Sequence, residues 1–597
     1  MRVSMYPNYP VRQDQLISIW GVGQMINFPN GESLMISGLD AWEKMYEQIT
    51  NMDEIKIRDT RLATRLKVDH FRKPPDFRDK SSGINIENKG LKIPTVRFPK
   101  WHYCPKCGYL KKLTLYNNGL IYCPECKKNQ RSLPMIPIHF VAVCKLGHIE
   151  DFPFERWVHE GNYCKNEGKL KIRTGPYISV ICSCGNKKSM SNIYQNAALN
   201  SIKTCSGQRP WLGEDDDTKE HCGAPLEVRP ISASNVYFPM VEKSLFLPRY
   251  EKKHSQKILQ FIDSKWDAID ILLEKAGIEG VFDLAKRNNI NFEEFKNALE
   301  ERLDDNKKSK TKQKANLTEN QYRKQEYLAI LQNKGDSNQN FYVVENNIDD
   351  YEIESFFSNI ICVPKLKETR AFCGFTRLNV YNGETIEDMK NMLMLSNKIN
   401  WLPAIENFGE GIFFEFNNKR LKKWINYDSV QNRARRMINQ YNKDRSKRYQ
   451  SKRELNAIFI LLHTFAHCFI RQLSYVCGYN SASLQERLYF STELQMQGVL
   501  IYTTSSDADG SLGGVVNQGK PGNLEPLLYS TLETVEYCSA DPICIKSEGQ
   551  GANGSNLAAC HNCVLLSETS CEENNNLLDR CMVIGETDDQ LVGYFKI

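Results

Sequence analysis

The sequence predicts a multidomain α+β protein: a cysteine-rich N-terminal module, a helical insertion and a C-terminal α/β domain. Three observations predict it. Half of the 20 cysteines fall within residues 101–230, in loop-rich sequence. Residues 254–335 switch to apolar spacings of three and four, as in "KILQFIDSKWDAIDILLEKAGIEGVFDLAKRN". Beyond residue 450 a long helical run and a strand lead into "CSADPICIKSEGQGANGSNLAACHNCVLLSETSC", a polar stretch with five cysteines.

A chain of 597 residues has room for three or four domains. Composition shifts divide it into 1–100 (an α+β region with a helix at "GLDAWEKMYEQI"), 101–250 (the cysteine-rich module), 251–340 (the helical insertion), 341–450 (an α/β region) and 451–597. Inside the insertion, "DDNKKSKTKQKANLTENQ" has almost no aliphatic residue and reads as a solvated linker. A long helix is expected at about 452–477, and "QGVLIYTT" reads as a buried strand entering the turn "SSDADGSLGG". The run "AIFILLHTFAHCFI" is shorter than the roughly 18 apolar residues a bilayer span needs, so it reads as a buried helix. "MRVSMYPNYPVRQDQLISIWGVG" has no continuous apolar signal segment. The expectation is a cytoplasmic protein, in which thiols stay reduced and clustered cysteines bind metal rather than form disulfides.

In "CPKCGYLKKLTLYNNGLIYCPEC", Cys104, Cys107, Cys123 and Cys126 form two C-x2-C turns separated by fifteen residues. Each turn chelates with two thiolates, and the hairpin between them can bring the pairs together around a tetrahedral zinc. This is the pattern of a zinc ribbon and makes the module zinc-ribbon-rich. "VCKLGHIEDFPFERWVHEGNYC" offers a second set, Cys144, His148, His159 and Cys164, and the next stretch a third, Cys182, Cys184, Cys205 and Cys222. Near the C-terminus, Cys560 and Cys563 make another chelating turn, and Cys538, Cys544 and Cys571 compete for the two remaining places. Two to four zinc ions are expected. Cys362, Cys373, Cys468, Cys477 and Cys581 stand singly and read as small core residues.

Several motifs fail their chemistry. "GQGANG" matches a dinucleotide fingerprint in letters but sits between cysteines, not at a strand-to-helix turn. "GVVNQGKP" puts Pro521 where a phosphate loop needs a magnesium-binding hydroxyl. "HTFAH" places His463 and His467 one turn apart but has Thr464 where a zinc protease has its glutamate, so the pair reads as helix-surface or buried, hydrogen-bonded histidines. No catalytic residue is assigned.

The formal charge of +6 on 78 basic and 72 acidic residues points to no partner by itself. Residues 419–453 differ: they hold thirteen Lys and Arg against two Asp, interleaved with Trp424, Tyr427, Tyr441 and Tyr449. That mixture suits phosphate neutralisation and base stacking. Arg433, Arg435, Arg436, Arg445, Lys447, Arg448, Lys452 and Arg453 are the candidate DNA-binding residues.

Longer motifs carry a resemblance. "HTFAHCFIRQLSYVCGYNSASLQERLY", "GVLIYTTSSDADGSLGGVV" and "CHNCVLLSETSCEENNNLLDR" resemble the MrfA-like zinc-binding domain that closes certain DNA-repair helicases. With "RQDQLISIWGVGQMINFPNGESLMISGLDAW", "CKLGHIEDFPF" and "SASNVYFPMV", residues 12 to about 584, apart from 254–335, resemble the DrmB family of the DISARM anti-phage defence system. The resemblance implies a DrmA-type helicase partner and a DNA-binding complex. It also implies that Cys560, Cys563 and Cys571 ligate one zinc, with Cys544 favoured over Cys538 as the fourth ligand. The function expected is a non-catalytic DNA-binding and scaffold subunit. The alternatives are a metal-dependent nuclease or hydrolase using Asp507, Asp509, His463 and His467, and an adaptor that touches only the helicase.

Overall fold

The computed structural model describes residues 10–596 except 29–30, 48, 50–51, 76–90, 118, 128–132, 174–176, 214–221, 248–257, 259–260, 263–264, 289, 297, 300–317, 333–339, 347–348, 379–385, 396–398, 448–449, 506–512, 552 and 587. A sheet assembled from distant parts of the chain stands at the centre. Its main strands are β1 (Phe238–Leu245), β2 (Tyr342–Glu345), β3 (Phe357–Thr376), β4 (Trp401–Phe416), β5 (Leu484–Ser491) and β6 (Met496–Ser505). They pair antiparallel in the order β1-β3-β4-β6-β5, with β2 beside the first part of β3. Two short strands, Lys56–Ile57 and His70–Arg72, extend it, the second running parallel to the start of β4.

Alternation along each strand gives this sheet two apolar faces. Three helices matter here: α1 (Glu319–Gln332), α2 (Asp428–Lys447) and α3 (Ala457–Cys477). Phe414 and Phe416 of β4, Leu484 and Leu488 of β5, and Val499 and Ile501 of β6 share one core with α3. Their neighbours Phe413, Tyr489, Leu500 and Tyr502 point the other way, into a core with Tyr327 and Ile330 of α1. Each such side chain fully buried contributes roughly 1.5–3 kcal/mol. On the α1 side, the buried carboxylate of Glu326 accepts from Arg487 and Tyr489 of β5 and from Arg61, which fixes α1 on the sheet.

Asn456 caps α3 by accepting from Ile458 N, and Gly478, at φ 69°, ends it. The helix starts later than residue 452 and spans 21 residues, more than the apolar run alone. Among the described residues it is the one helix long and apolar enough to cross a membrane, and most of it is buried inside the fold. The C-terminal segment covers its remaining side with Leu577, Leu578, Met582, Val583, Tyr594 and Phe595.

The expected boundaries at 250, 340 and 450 are crossed by this sheet, because β1 precedes the first and β5 and β6 follow the last. Strand pairing, not chain proximity, defines the unit. The helical insertion divides in the same way. Trp266–Ala276 and Phe282–Arg287 belong to a small core of their own, while α1 belongs to the sheet. The polar linker lies outside the described residues up to 317. The cysteine-rich module is built on three small three-stranded sheets.

Candidate metal centres and basic face

All 20 cysteines are free thiols. Cys104, Cys107, Cys123 and Cys126 converge, with Sγ separations of 3.8 Å (104 to 126) and 3.6 Å (107 to 123). A tetrahedron of 2.3 Å zinc–sulfur bonds has edges of about 3.8 Å, whereas a disulfide bond is about 2.05 Å. The strand Trp101–Tyr103 delivers the first turn and the short helix Pro124–Lys127 the second. Gly108, at φ 71°, closes the first turn, where its amide donates to Cys104 O. A Cβ there would meet Ile172 O at 2.0 Å.

The next eight residues regroup relative to expectation. Cys144 and His148 lie with Cys205 and Cys222, while His159 and Cys164 lie with Cys182 and Cys184. One set is nested inside the other. The cause is the strand Phe140–Val143, which pairs with both Ile149–Asp151 and Glu227–Pro230. That pairing folds Cys222 back onto Cys144 (Sγ to Sγ 4.0 Å), and Cys144 Sγ is 3.5 Å from His148 Nδ1. The intervening chain forms its own sheet, Leu170–Arg173, Ser179–Cys182 and Lys187–Ser189, around the inner set. There Cys164 and Cys182 are 3.7 Å apart, and His159 Nε2 is 3.3 Å from Cys184 Sγ. His159 Nδ1 donates to Glu155 O at 2.7 Å, which leaves Nε2 to face the thiols. The Asn186 backbone amide, then His159, bring the Cys184 thiol down to about 6. Gly168 has no room for a side chain, since a Cβ would lie 2.3 Å from Cys182 Sγ.

In the C-terminal stretch, Cys538, Cys544, Cys560 and Cys563 converge. The Sγ separations are 3.5 Å (538 to 560), 3.7 Å (544 to 563) and 3.6 Å (560 to 563). Amides of Ala540 and Cys560 donate to Cys538 and Cys563 sulfurs. Cys538 and Cys544 both belong, and Cys571 does not. It lies instead beside His463, His467 and Glu486. Glu486 has no signature in the sequence, whereas the i, i+4 spacing of the histidines was legible.

The basic segment divides by direction. Arg433 turns inward and grips the fully buried Asp579 with two hydrogen bonds of 2.9 and 3.1 Å, adding Glu586 at 3.1 Å. Burial lowers its pKa, but Asp579 outweighs that and holds it above the ordinary arginine range. Arg453 likewise binds Glu573 and Tyr441. Val430, Ala434 and Met437 turn the Arg433 side of α2 into the core, and Arg453, beyond the end of α2, is engaged by the Glu573 carboxylate. Arg445 donates to Ser451 O at 2.8 Å. Arg435, Arg436, Lys447 and Lys452 are exposed, as is Lys443, and Arg448 lies outside the described residues.

The near-miss phosphate loop forms a five-residue helix, Gly514–Gln518. Its first amides are already used: the buried Glu410 carboxylate accepts from Val515 N at 3.0 Å and Val516 N at 3.1 Å. A phosphate there would meet a carboxylate. Asp507 and Asp509 lie outside the described residues.

Thiolate- and imidazole-rich quartets at zinc spacing define a protein with several zinc sites. Residues 465–564 match the family model of the MrfA Zn-binding domain, which contains the C-terminal quartet, and residues 12–238 match a domain of unknown function, DUF8724. The DISARM protein DrmB of Bacillus paralicheniformis is 31% identical over 588 residues, covering 95% of this chain and 99% of that protein. The chain belongs to the DrmB family and has a role in DISARM defence.

Proposed function

We propose that the chain is a cytoplasmic, non-catalytic DNA-binding scaffold subunit of DISARM that pairs with a DrmA-type helicase. The observation that carries this reading is the outer face of α2. Arg436, Lys443 and Lys447 recur at seven and four residues, nearly in line on one exposed stripe, with Arg435 beside it. From 436 to 447 the stripe runs about 17 Å, about the rise of five base pairs. Cations spaced this way attract a phosphate backbone of any sequence, which suits defence against many genomes. The Arg436–Glu548 pair is exposed, with Arg436 at 50% and Glu548 at 86%, so solvent screens it and a phosphate can replace the carboxylate.

Zinc fits this role as architecture. We assign one ion each to Cys104/Cys107/Cys123/Cys126, Cys144/His148/Cys205/Cys222, His159/Cys164/Cys182/Cys184 and Cys538/Cys544/Cys560/Cys563. Each set is a closed quartet of four donors, the pattern of structural rather than catalytic zinc. The hydrolase reading asks His463 and His467 to meet a scissile phosphate, but both imidazoles are completely buried.

Incubating the purified chain with duplex DNA and magnesium tests the reading. A retarded, intact DNA band is expected, and co-expression with the helicase should give a stable complex. Cleaved DNA would establish the hydrolase reading; a helicase complex without any DNA shift by the chain alone would establish the adaptor.

A further inference from the structure

His463 and His467 of α3, Glu486 of β5 and Cys571 of the C-terminal segment meet in the core, all four buried, with their ligand atoms within 4.8 Å of one another. His463 Nε2 is 3.2 Å from Glu486 Oε1 and 3.2 Å from Cys571 Sγ; His467 Nε2 is 3.7 Å from the same Glu486 oxygen. We propose that this quartet is a further zinc site, distinct from the four cysteine-dominated sets.

Spacing is the first support. Around a zinc with 2.0–2.3 Å bonds to nitrogen, oxygen and sulfur, tetrahedral neighbours lie about 3.3–3.5 Å apart, close to the separations here. Orientation is the second. His467 Nδ1 donates to Val564 O at 3.0 Å, so its Nε2 carries the lone pair and faces the centre. That Nε2 and Glu486 Oε2 are buried without a hydrogen-bond partner, a cost of roughly 1–3 kcal/mol for each such group. Cys571 Sγ accepts from the amides of Glu573 and Asn575 at 3.3 and 3.2 Å, an arrangement that stabilises a thiolate. The same kind of amide-to-sulfur bond surrounds Cys538 and Cys563.

Charge is the third support. Two neutral imidazoles, one carboxylate and one thiolate cancel a divalent cation, and a neutral site is what a fully buried location tolerates. Sulfur and imidazole donors favour zinc over magnesium or calcium. With four protein donors and no exposed surface, this ion would be structural, tying α3 to β5 and to the C-terminal segment. Glu486 already binds that segment through its backbone, since Glu486 N donates to Ser570 O and Glu572 N donates to Glu486 Oε1.

The full-length chain, purified without chelator, should contain five zinc ions, one for each of the five groupings among the described residues. After exchange with cadmium, 113Cd NMR should show four thiolate-rich resonances and a fifth shifted toward nitrogen- and oxygen-rich sites. His467→Gln should lose one ion and that fifth resonance alone. The cadmium spectrum of the unaltered chain decides the matter even if His467→Gln fails to fold. Four ions with four thiolate-rich resonances, or a folded His467→Gln with undiminished metal, would overturn the proposal.

Discussion

Arg433 and Arg435 are two residues apart on one helix and do different work. Arg433 neutralises Asp579 in the core, so Arg433→Ala strands a buried carboxylate and should destabilise the fold by about 3–5 kcal/mol. Arg435 is exposed, and Arg435→Ala should change stability by less than about 0.5 kcal/mol. Denaturant unfolding of the two variants compares them directly. The nested quartets give a second contrast. Cys144→Ser and Cys205→Ser should each lose the same zinc, so the double variant loses one ion, whereas Cys144→Ser/Cys182→Ser loses two. Metal analysis of equal loss in the two double variants would refute the nesting. A C-x2-C turn such as Cys104–Cys107 is legible in sequence because one tight turn holds both ligands. The partner turn for Cys144 was not, since the pairing of Phe140–Val143 with Glu227–Pro230 chooses it across more than seventy residues.

At the scale of elements, apolar runs and spacings located the helix Leu39–Tyr46, α3 and β6, the last through the consecutive apolar residues Val499 to Tyr502. They could not show that β1, β3, β4, β5 and β6 share one sheet, because register between strands far apart in the chain leaves no local mark. Nor could they show that the glycine turn at 513–519 is closed by Glu410 of β4. That pairing predicts that the purified chain does not turn over ATP, as Pro521 also suggests. Glu410→Ala should leave two buried amides unsatisfied and destabilise the fold by about 1–3 kcal/mol per amide, without creating ATPase activity. Turnover that survives purification from any helicase and disappears in Lys520→Ala would contradict this.

Across the whole molecule, two kinds of cohesion coexist. The central sheet is held by apolar layers on both faces, while residues 101–230 depend on small sheets pinned by cysteine and histidine quartets. Structural zinc binding is folding free energy. Chelation should therefore open residues 101–230 and the cysteine-held segment 538–571 to protease before the strands of the central sheet are cut, and mapping the first cleavage sites by mass spectrometry checks this. Simultaneous cleavage throughout would show that the metal sites and the sheet fold as one unit.

If the outer stripe of α2 carries DNA, the salt dependence of binding must show it. On duplex DNA each neutralised phosphate contributes about −0.9 to the slope of log K against log salt. Arg436→Gln/Lys443→Gln/Lys447→Gln should weaken binding and make the slope shallower by about 0.9 for every phosphate that is no longer neutralised, with zinc content and unfolding midpoint unchanged. Unchanged affinity and slope in that variant would contradict the claim and leave the stripe as a solvated surface.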